Sequence, residues 1–198
     1  MPDTDIHHLK GKEILPYLTE LAHLRMTVFK EYPYLYEGDL AYEEKYLQTY
    51  ADCNESIMVL AINAKQIIGA STAIPLTFET EEVKQPFQDQ KMDIEEVFYF
   101  GESILLPKYR GHGIYRHFFL ERESAAKTYG STIAAFCAVE RPSDDPRKPI
   151  NYQPLDPVWR HFGYSKHPQL RAYFEWKETG ESNPSKKPLV FWLKTLER

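Results

Sequence analysis

The chain has 198 residues, a formal charge of −5 and two cysteines. This length predicts a single domain over residues 1–198, and the negative charge argues against a general nucleic-acid binder, which would present a basic surface. Cys53 and Cys137 lack metal-type spacing, no apolar run has the length of a membrane span, and the polar N-terminus does not resemble a signal peptide. We therefore expect a cytoplasmic protein with neither a metal nor a membrane partner.

Apolar spacing, glycine and proline predict the secondary-structure elements in chain order. They are a strand at 5–9, helices at 14–30 and 40–50, a hairpin of strands at 56–62 and 66–74, an acidic insertion at about 78–95, a strand at 97–106, a helix at 114–129, a strand at 132–139, a proline-rich loop at 141–149, a short helix at 157–162, and strands at 170–176 and 189–195. The segment 29–39 between the first two helices is rich in aromatic residues, and its proline and Gly-Asp ending indicate a structured loop.

The long strand, helix and strand at the centre of the chain form a unit whose two strands should lie parallel, because a helix connects them. In the turn before this helix, Gly111 and Gly113 allow the backbone to approach a ligand closely. The first N–H groups of a helix have no partner within it, so together with the helix dipole they favour an anion such as phosphate. Lys108 and Arg110 add positive charge at this turn. An ordinary turn that needs glycine for its geometry alone is the alternative.

Two familiar phosphate loops do not match this turn. Gly113-Ile114-Tyr115 lacks the ending of a P-loop, and Arg116 stands where a dinucleotide fingerprint requires glycine. The run Pro-x-Tyr-Arg-Gly-x-Gly-Ile between a strand and a helix resembles motif A of the GCN5-related N-acetyltransferases (the GNAT superfamily), which bind acetyl-CoA. The family pattern Gln/Arg-x-x-Gly-x-Gly/Ala is similar to the segment 110–115, except that Tyr115 replaces the last small residue.

The order of the predicted elements also resembles the whole GNAT fold, over nearly the full chain. The resemblance implies an α/β class with a mixed, mostly antiparallel central sheet, one parallel strand–helix–strand unit and flanking helices. It further implies acetyl-CoA as cosubstrate, with its pyrophosphate on the turn amides and its pantetheine arm and acetyl oxygen on the main chain of the preceding, bulged strand. The matching residues are Ile104, Leu105, Leu106, Arg110, Gly111, His112, Gly113, Ile114 and Tyr115.

Glu102 is the candidate general base. It lies in an otherwise apolar strand, where burial makes a carboxylate more basic, and the resemblance implies a base at this position, acting directly or through water. A glutamate that pairs with a structural arginine or faces solvent is the alternative. The family often uses a tyrosine as the acid, but Trp159 occupies that position, which leaves Tyr152, His161, Tyr164 or water.

Cys137 raises the alternative of a covalent acyl-enzyme, but the sequence places no histidine to activate it, so we expect direct attack by the acceptor. In the family, the loop between the first two helices contributes to the acceptor site. Tyrosines can form cation–π contacts and carboxylates attract ammonium groups, although a solvated acidic face over packed tyrosines has the same composition. The candidate acceptor residues are Tyr32, Tyr34, Tyr36 and Glu37.

Two classes of function remain. The first is an N-acyltransferase that moves an acetyl group from acetyl-CoA to an amine of a cationic small molecule or peptide, which Glu102 favours. The second is a catalytically weak acyl-CoA-binding sensor or partner module, which Trp159 and the bulky Tyr115 favour. An unpaired final strand in such a sheet would support a homodimer.

Overall fold

The computed structural model describes residues 4–197, in which seven strands form one sheet. The strands are β1 (Thr4–Leu9), β2 (Ile57–Asn63), β3 (Gln66–Pro75), β4 (Val97–Leu105), β5 (Ile133–Val139), β6 (Ser165–Trp176) and β7 (Ser185–Thr195). Their order is β1-β2-β3-β4-β5-β7-β6, and neighbours are antiparallel except for the parallel pair β4 and β5. The predicted mixed sheet with one parallel strand–helix–strand unit is confirmed.

Helices cover both faces of the sheet. The α-helices are α1 (Leu18–Phe29), α2 (Leu40–Asp52), α3 (Glu81–Asp89), α4 (Ile114–Tyr129) and α5 (Asp156–His161), and short 3-10 helices occur at Gly11–Tyr17, Leu76–Phe78, Ile94–Glu96 and Pro107–Tyr109. Side chains of α1 and α2 pack with Met58 and Leu60 of β2, whereas those of α4 pack with Val59 and Ala61 on the other face. Alternate residues of a strand point to opposite faces, so β2 is buried on both.

The acidic segment predicted as an insertion contains a helix, α3. Its buried face depends on few apolar side chains, chiefly Val83 and Phe87, which are four residues apart and therefore lie on the same side of the helix. Phe87 packs edge-on against Phe191 of β7, with 4.9 Å between ring centroids. Because the apolar stripe of α3 is short and lies among charged residues, the sequence shows little helical periodicity here.

The final strand differs from its expectation. β7 lies inside the sheet and pairs with both β5 and β6, so the expectation of an unpaired final strand is wrong. In the described sheet the edges are β1 and β6. Both β6 and β7 also begin earlier than predicted, at Ser165 and Ser185, because polar residues fill their first positions.

The parallel pairing of β4 with β5 is short. It runs from Val97 opposite Ile133 to Tyr99 opposite Ala135, and beyond this point the two strands separate. From residue 100 onward, the edge of β4 that faces β5 pairs with no strand among residues 4–197. This separation opens the middle of the sheet and leaves main-chain groups available to a ligand.

The opposite edge of β4 carries a bulge. The register with β3 shifts by one residue, so that Thr72 faces both Gly101 and Glu102. Glycine is required at position 101, because a Cβ there would lie 2.0 Å from Tyr50 Oη and 2.6 Å from Thr72 Oγ1. Arg122 of α4 donates to the carbonyl oxygens of Thr72 at 3.4 Å and Glu102 at 3.1 Å, which satisfies main-chain groups that the bulge exposes.

Candidate active site

Two cavities meet where β4 and β5 separate. The larger, of about 320 Å³, is bordered by β4, β5, α4 and α5, and the smaller, of about 130 Å³, lies between the sheet and helices α1 and α2. The residues that line both cavities are Phe29, Tyr34, Gly101, Glu102 and Cys137. The two cavities therefore adjoin each other along these residues.

The glycine turn has the geometry of an anion site. Gly111 and Gly113 have φ angles of 79° and 83°, which favour glycine, and α4 begins directly after Gly113 without a hydrogen bond from a described side chain to cap it. A Cβ at either glycine would have no described heavy atom within 4 Å beyond its chain neighbours. The space above the N-terminus of this 16-residue helix is thus open to an anion.

Exposed basic side chains surround the turn: Lys108, Arg110, His112, Arg116 and His117. Arg110 pairs with Glu31 at 2.9 Å and donates from Nε to the carbonyl oxygen of Leu105 at 3.0 Å. Its side chain is 46 % exposed, so an incoming anion can compete with Glu31. The open amides and the positive charges of Lys108, Arg110 and Arg116 fit the diphosphate of coenzyme A.

Tyr115 occupies a different position from the other residues of the predicted loop. It lines the larger cavity and packs edge-on against Phe119 at 5.2 Å, whereas residues 110–114 lie outside that lining. Its hydroxyl oxygen accepts a hydrogen bond from Nε1 of Trp159 in α5 at 3.2 Å, and burial raises the pKa of Tyr115. The Tyr115–Trp159 pair therefore joins α4 to α5 at the boundary between the turn and the larger cavity.

The segment predicted to contact the pantetheine arm lies beside the cavities rather than in their walls. Ile104 and Leu105 are buried in the core, and the N–H of Leu106 donates to a carbonyl of β3 at 2.9 Å. The bulge that the resemblance implied for this segment lies earlier, at Gly101 and Glu102. The main chain beside the larger cavity is accordingly that of residues 100–103, and contact between 104–106 and a cofactor stays a prediction.

Glu102 shares a buried arginine with a second carboxylate. Arg25 of α1 contacts Glu102 Oε2 at 2.6 Å through Nη1 and donates from Nε to Glu43 of α2. Although burial lowers the pKa of Arg25, the charges of Glu102 and Glu43 outweigh this effect and hold it above its ordinary value. This arrangement matches the alternative in which Glu102 pairs with an arginine. Because Glu102 also lines both cavities, the pairing does not decide whether Glu102 acts as a base.

A chain of hydrogen bonds that the sequence did not indicate begins beside this cluster. The ring of Tyr46 lies 4.4 Å from the Arg25 guanidinium, its hydroxyl lies 2.9 Å from that of Tyr50, and Tyr50 donates to Glu79 Oε1 at 2.9 Å. Burial raises the pKa of Tyr46, Tyr50 and Glu79, so both tyrosines are protonated at neutral pH. The regular spacing of tyrosines along α2 was the feature of the sequence that could have indicated this chain of hydrogen bonds.

The candidate acceptor residues divide between the cavities and the surface. Tyr34 and Tyr36 line the smaller cavity, and Tyr32 lines the larger one. Glu37 lies outside both linings and pairs with Lys177 at 3.0 Å on the surface. Only the tyrosines therefore stay in our proposal for the acceptor site.

The aromatic loop is held in place by the far end of the sheet. Arg141 donates to the carbonyl oxygens of Pro33 at 2.6 Å and Tyr34 at 3.1 Å, and it pairs with the buried Glu178 at 2.6 Å. Trp176 Nε1 donates to the same Tyr34 oxygen at 3.1 Å. These contacts position the tyrosines of the loop, as expected for a structured segment.

Cys137 is a buried thiol. Burial raises the pKa of Cys137 to about 12, and its sulfur lies 3.2 Å from the Tyr99 hydroxyl. At neutral pH it is protonated and a poor nucleophile, which favours direct attack over an acyl-enzyme.

The three side chains considered as proton donors have different surroundings. Tyr164 is buried and donates to Glu123 at 3.0 Å, and His161 is exposed at the end of α5. Tyr152 lines the larger cavity, as does Tyr115, which the sequence did not suggest as a donor.

Within residues 4–197, the structure brings together no group of three or more histidine, cysteine or acidic side chains that could hold a metal ion. In the same range, no helix combines the length and apolar character that crossing a membrane requires.

No family model and no curated protein matches the chain, but solved structures do. A candidate acetyltransferase of Acinetobacter baylyi aligns with 99 % of this chain and 94 % of its own, at 12 % identity and a TM-score of 0.62. The ribosomal-protein-alanine N-acetyltransferase of Brucella melitensis aligns over 97 % and 99 %, at 14 % identity and a TM-score of 0.60. A candidate acetyltransferase of Salmonella typhimurium, solved with its cofactor acetyl-CoA, aligns over 99 % and 95 %, at 9 % identity and a TM-score of 0.57. The chain therefore has the fold of the GCN5-related N-acetyltransferases.

Proposed function

We propose that the protein is an acetyl-CoA-dependent N-acetyltransferase that moves the acetyl group directly to an amine of a cationic small molecule or peptide. The observation that carries this proposal is the meeting of two cavities at Gly101 and Glu102, because direct transfer needs both reactants in contact. The fold supports acyl transfer, and one structural neighbour was solved with acetyl-CoA. Both cysteines are free, in agreement with a cytoplasmic protein.

The glycine turn would hold the phosphate end of the coenzyme, through the amides of residues 111–114 and the charges of Lys108 and Arg110. When bound, acetyl-CoA supplies an acetyl group activated as a thioester, so that an N–C bond forms as the C–S bond breaks. The main chain of residues 100–103 borders the larger cavity, where the free edge of β4 can orient the acyl group.

Glu102 would accept the proton that the attacking ammonium loses. Its carboxylate lines both cavities and lies 2.6 Å from Nη1 of Arg25, which holds it in position. Glu43 competes for the same guanidinium, which limits how strongly Arg25 stabilises the charge of Glu102. The leaving sulfur needs a proton in return, and Tyr115 and Tyr152, whose hydroxyls can donate one, are among the residues that line the larger cavity. Because the Trp159 N–H can only donate, the proton of Tyr115 stays available.

Calorimetric titration with acetyl-CoA tests the cofactor site. Arg110→Ala should weaken binding roughly tenfold to hundredfold, because a hydrogen bond to a charged group contributes about 1.5–3 kcal/mol. Glu31→Ala is the matched control, since it breaks the same ion pair but keeps the cation, and it should bind at least as tightly as the parent. Equal affinity in Arg110→Ala and the parent would remove the turn from the proposed site.

The Tyr115–Trp159 contact favours a second candidate function, a catalytically weak acyl-CoA-binding module. This pair connects α4 and α5 where the coenzyme would pass from the turn to the larger cavity. If the contact obstructs this path, an enzyme has to open it in each turnover, whereas a sensor can bind the phosphate end alone.

Tyr115→Gly, which restores a small residue at this position, should raise the affinity for acetyl-CoA about tenfold if the contact obstructs the path. Glycine in the first turn of α4 costs about 1 kcal/mol of helix stability, so the free energy of unfolding is measured alongside. Trp159→Phe removes the hydrogen bond but keeps a ring, and should give an intermediate gain. Unchanged affinity in both variants would show that the path is already open.

A further inference from the structure

Arg122 of α4 is a buried arginine that reaches the larger cavity. It is 2 % exposed, and within residues 4–197 its hydrogen bonds go to main-chain carbonyl oxygens alone. Nε donates to Phe118 at 2.9 Å, and Nη1 donates to Thr72 at 3.4 Å and to Glu102 at 3.1 Å. Nη2 donates to no described residue, yet it is not sealed inside the protein as the partnerless hydroxyl of Ser71 is. Because Arg122 lines the larger cavity, this nitrogen opens onto that space.

The positive charge of Arg122 is not matched by a carboxylate in contact with it. Two carboxylates attract it from farther away, those of Glu102 and Glu123, and each is already paired with a different basic side chain. The rings of Phe100 and Phe119, at 4.4 Å and 5.3 Å, stabilise the cation only in part. Burial lowers the pKa of Arg122, but a guanidinium stays protonated in proteins. A buried charge without a counter-ion is costly, so the adjoining cavity favours a ligand group that is negative.

The part of the cavity beside Arg122 is the part in which the acyl group would lie. Nη1 contacts the carbonyl oxygen of Glu102, and the main chain of residues 100–103 borders the cavity there. Tyr115 belongs to the same lining, and its hydroxyl is close enough to act electrostatically on Arg122. Arg122 is therefore placed beside the bond that breaks in the proposed transfer.

Negative charge collects on sulfur when this bond breaks. The nitrogen lone pair forms the N–C bond, the electron pair of the C–S bond stays on sulfur, and the proton that nitrogen loses passes to Glu102. Trp159 stands where the family often has a tyrosine to protonate the sulfur, and its N–H is already donated to Tyr115. A fixed cation can stabilise a thiolate without any proton transfer at that moment.

From these observations we infer that Arg122 stabilises the thiolate of coenzyme A as it leaves. The assignment rests on the proposed function, because it places the thioester in the larger cavity. If Arg122 only supports the bulge of β4, its charge is not needed and the protein has no preference for a thiolate. The two roles differ in a binding measurement that requires no acceptor amine.

The test is calorimetric titration of the protein with coenzyme A and with desulfo-coenzyme A, which lacks the sulfur, over a range of pH. A nearby cation lowers the pKa of a thiol, so the bound coenzyme should ionise at a lower pH than the free one. As the pH rises toward the ordinary pKa of a thiol, roughly 8.5 for cysteine, the affinity for coenzyme A relative to the desulfo form should increase about tenfold to hundredfold. The ratio removes effects common to both ligands, including titration of the protein groups that act on Arg122 or line the cavity: Glu102, Tyr115, Glu123, Cys137, Tyr152 and Tyr164.

Three variants identify the cation responsible. Arg122→Gln keeps a donor for the carbonyl oxygens but removes the charge, so the increase should fall to about twofold or less. Arg122→Lys keeps the charge and should recover part of the increase. Lys148→Met is the matched control, because Lys148 lines the same cavity and loses the same charge but is exposed to solvent, and it should change the ratio by about twofold at most.

The parent protein decides the inference even if Arg122→Gln is poorly folded. The same pH dependence for both ligands in the parent would overturn the thiolate assignment, as would an unchanged increase in Arg122→Gln or an equal loss in Lys148→Met. In each of these cases the coenzyme still binds, so the cofactor site of the proposed function is not contradicted. A protein that binds neither ligand contradicts both proposals.

Discussion

Glu102→Gln should lower the rate of acetyl transfer by roughly 10²- to 10⁴-fold, the usual contribution of a general base. Glutamine keeps the shape of the side chain and a hydrogen-bonding oxygen for Arg25, but it cannot take up the proton of the acceptor ammonium. The affinity for acetyl-CoA should change little, because the glycine turn is separate from Glu102 and the substitution leaves the main chain of residues 100–103 unaltered. Steady-state rates with a reactive amine, together with calorimetric titration of acetyl-CoA, measure both quantities.

The pH dependence separates base catalysis from a structural effect. As the pH rises toward the pKa of the acceptor amine, more of the amine is already deprotonated and needs no base. The rate ratio of parent to Glu102→Gln should therefore shrink with rising pH. A ratio that stays constant across this range would show that Glu102 acts only as the counter-ion of Arg25. Unchanged turnover in the variant would exclude it as the base altogether.

Local signals in the sequence were sufficient for the central helix and its turn. α4 begins at Ile114 and ends at Tyr129, as predicted, because helical spacing in between is regular and a glycine with positive φ lies just outside each end. The glycine turn was predictable for the same reason: its conformation depends on adjacent residues. α3 was missed because its buried stripe is short and charged residues surround it.

The centre of the candidate site could be predicted only in part, because it depends on contacts between distant segments. The sequence indicated that Glu102 lies in an apolar strand, and an arginine partner was considered without identifying which one. Arg25 lies in the apolar stripe of α1, and Glu43 has the same helical spacing as the apolar residues of α2. Charged residues at such positions signal a buried pair, but spacing along one helix cannot specify the partner on another.

The bulge of β4 lies a few residues before the segment predicted to contain it, for a similar reason. The segment 104–106 was chosen by its distance from the motif, whereas the bulge depends on how β3, α2 and β4 pack together. Gly101 is the residue that allows Tyr50 and Thr72 to approach this closely. The glycine inside this apolar strand was therefore the feature of the sequence that could have indicated both the bulge and the place where the two cavities meet.

Arg25→Met should lower the free energy of unfolding by about 3–5 kcal/mol, the usual cost of breaking a buried ion pair. Methionine fills a similar volume, but it leaves the carboxylates of Glu43 and Glu102 buried without their shared cation. For a chain of this size the melting temperature should fall by roughly 6–20 °C. Arg110→Ala is the control, because its ion pair with Glu31 is nearly half exposed and should contribute at most about 1 kcal/mol.

The triple variant Arg25→Met/Glu43→Gln/Glu102→Gln tests the cause of this loss. If uncompensated charge is responsible, removal of both carboxylate charges should recover most of the stability that Arg25→Met loses. Chemical denaturation of the parent, the single variant and the triple variant measures the recovery. A triple variant no more stable than Arg25→Met would instead assign the loss to packing of the arginine against Tyr46. A triple variant that is inactive but more stable than the parent would show that this cluster is retained at a cost in stability, as expected where buried charge serves a reaction.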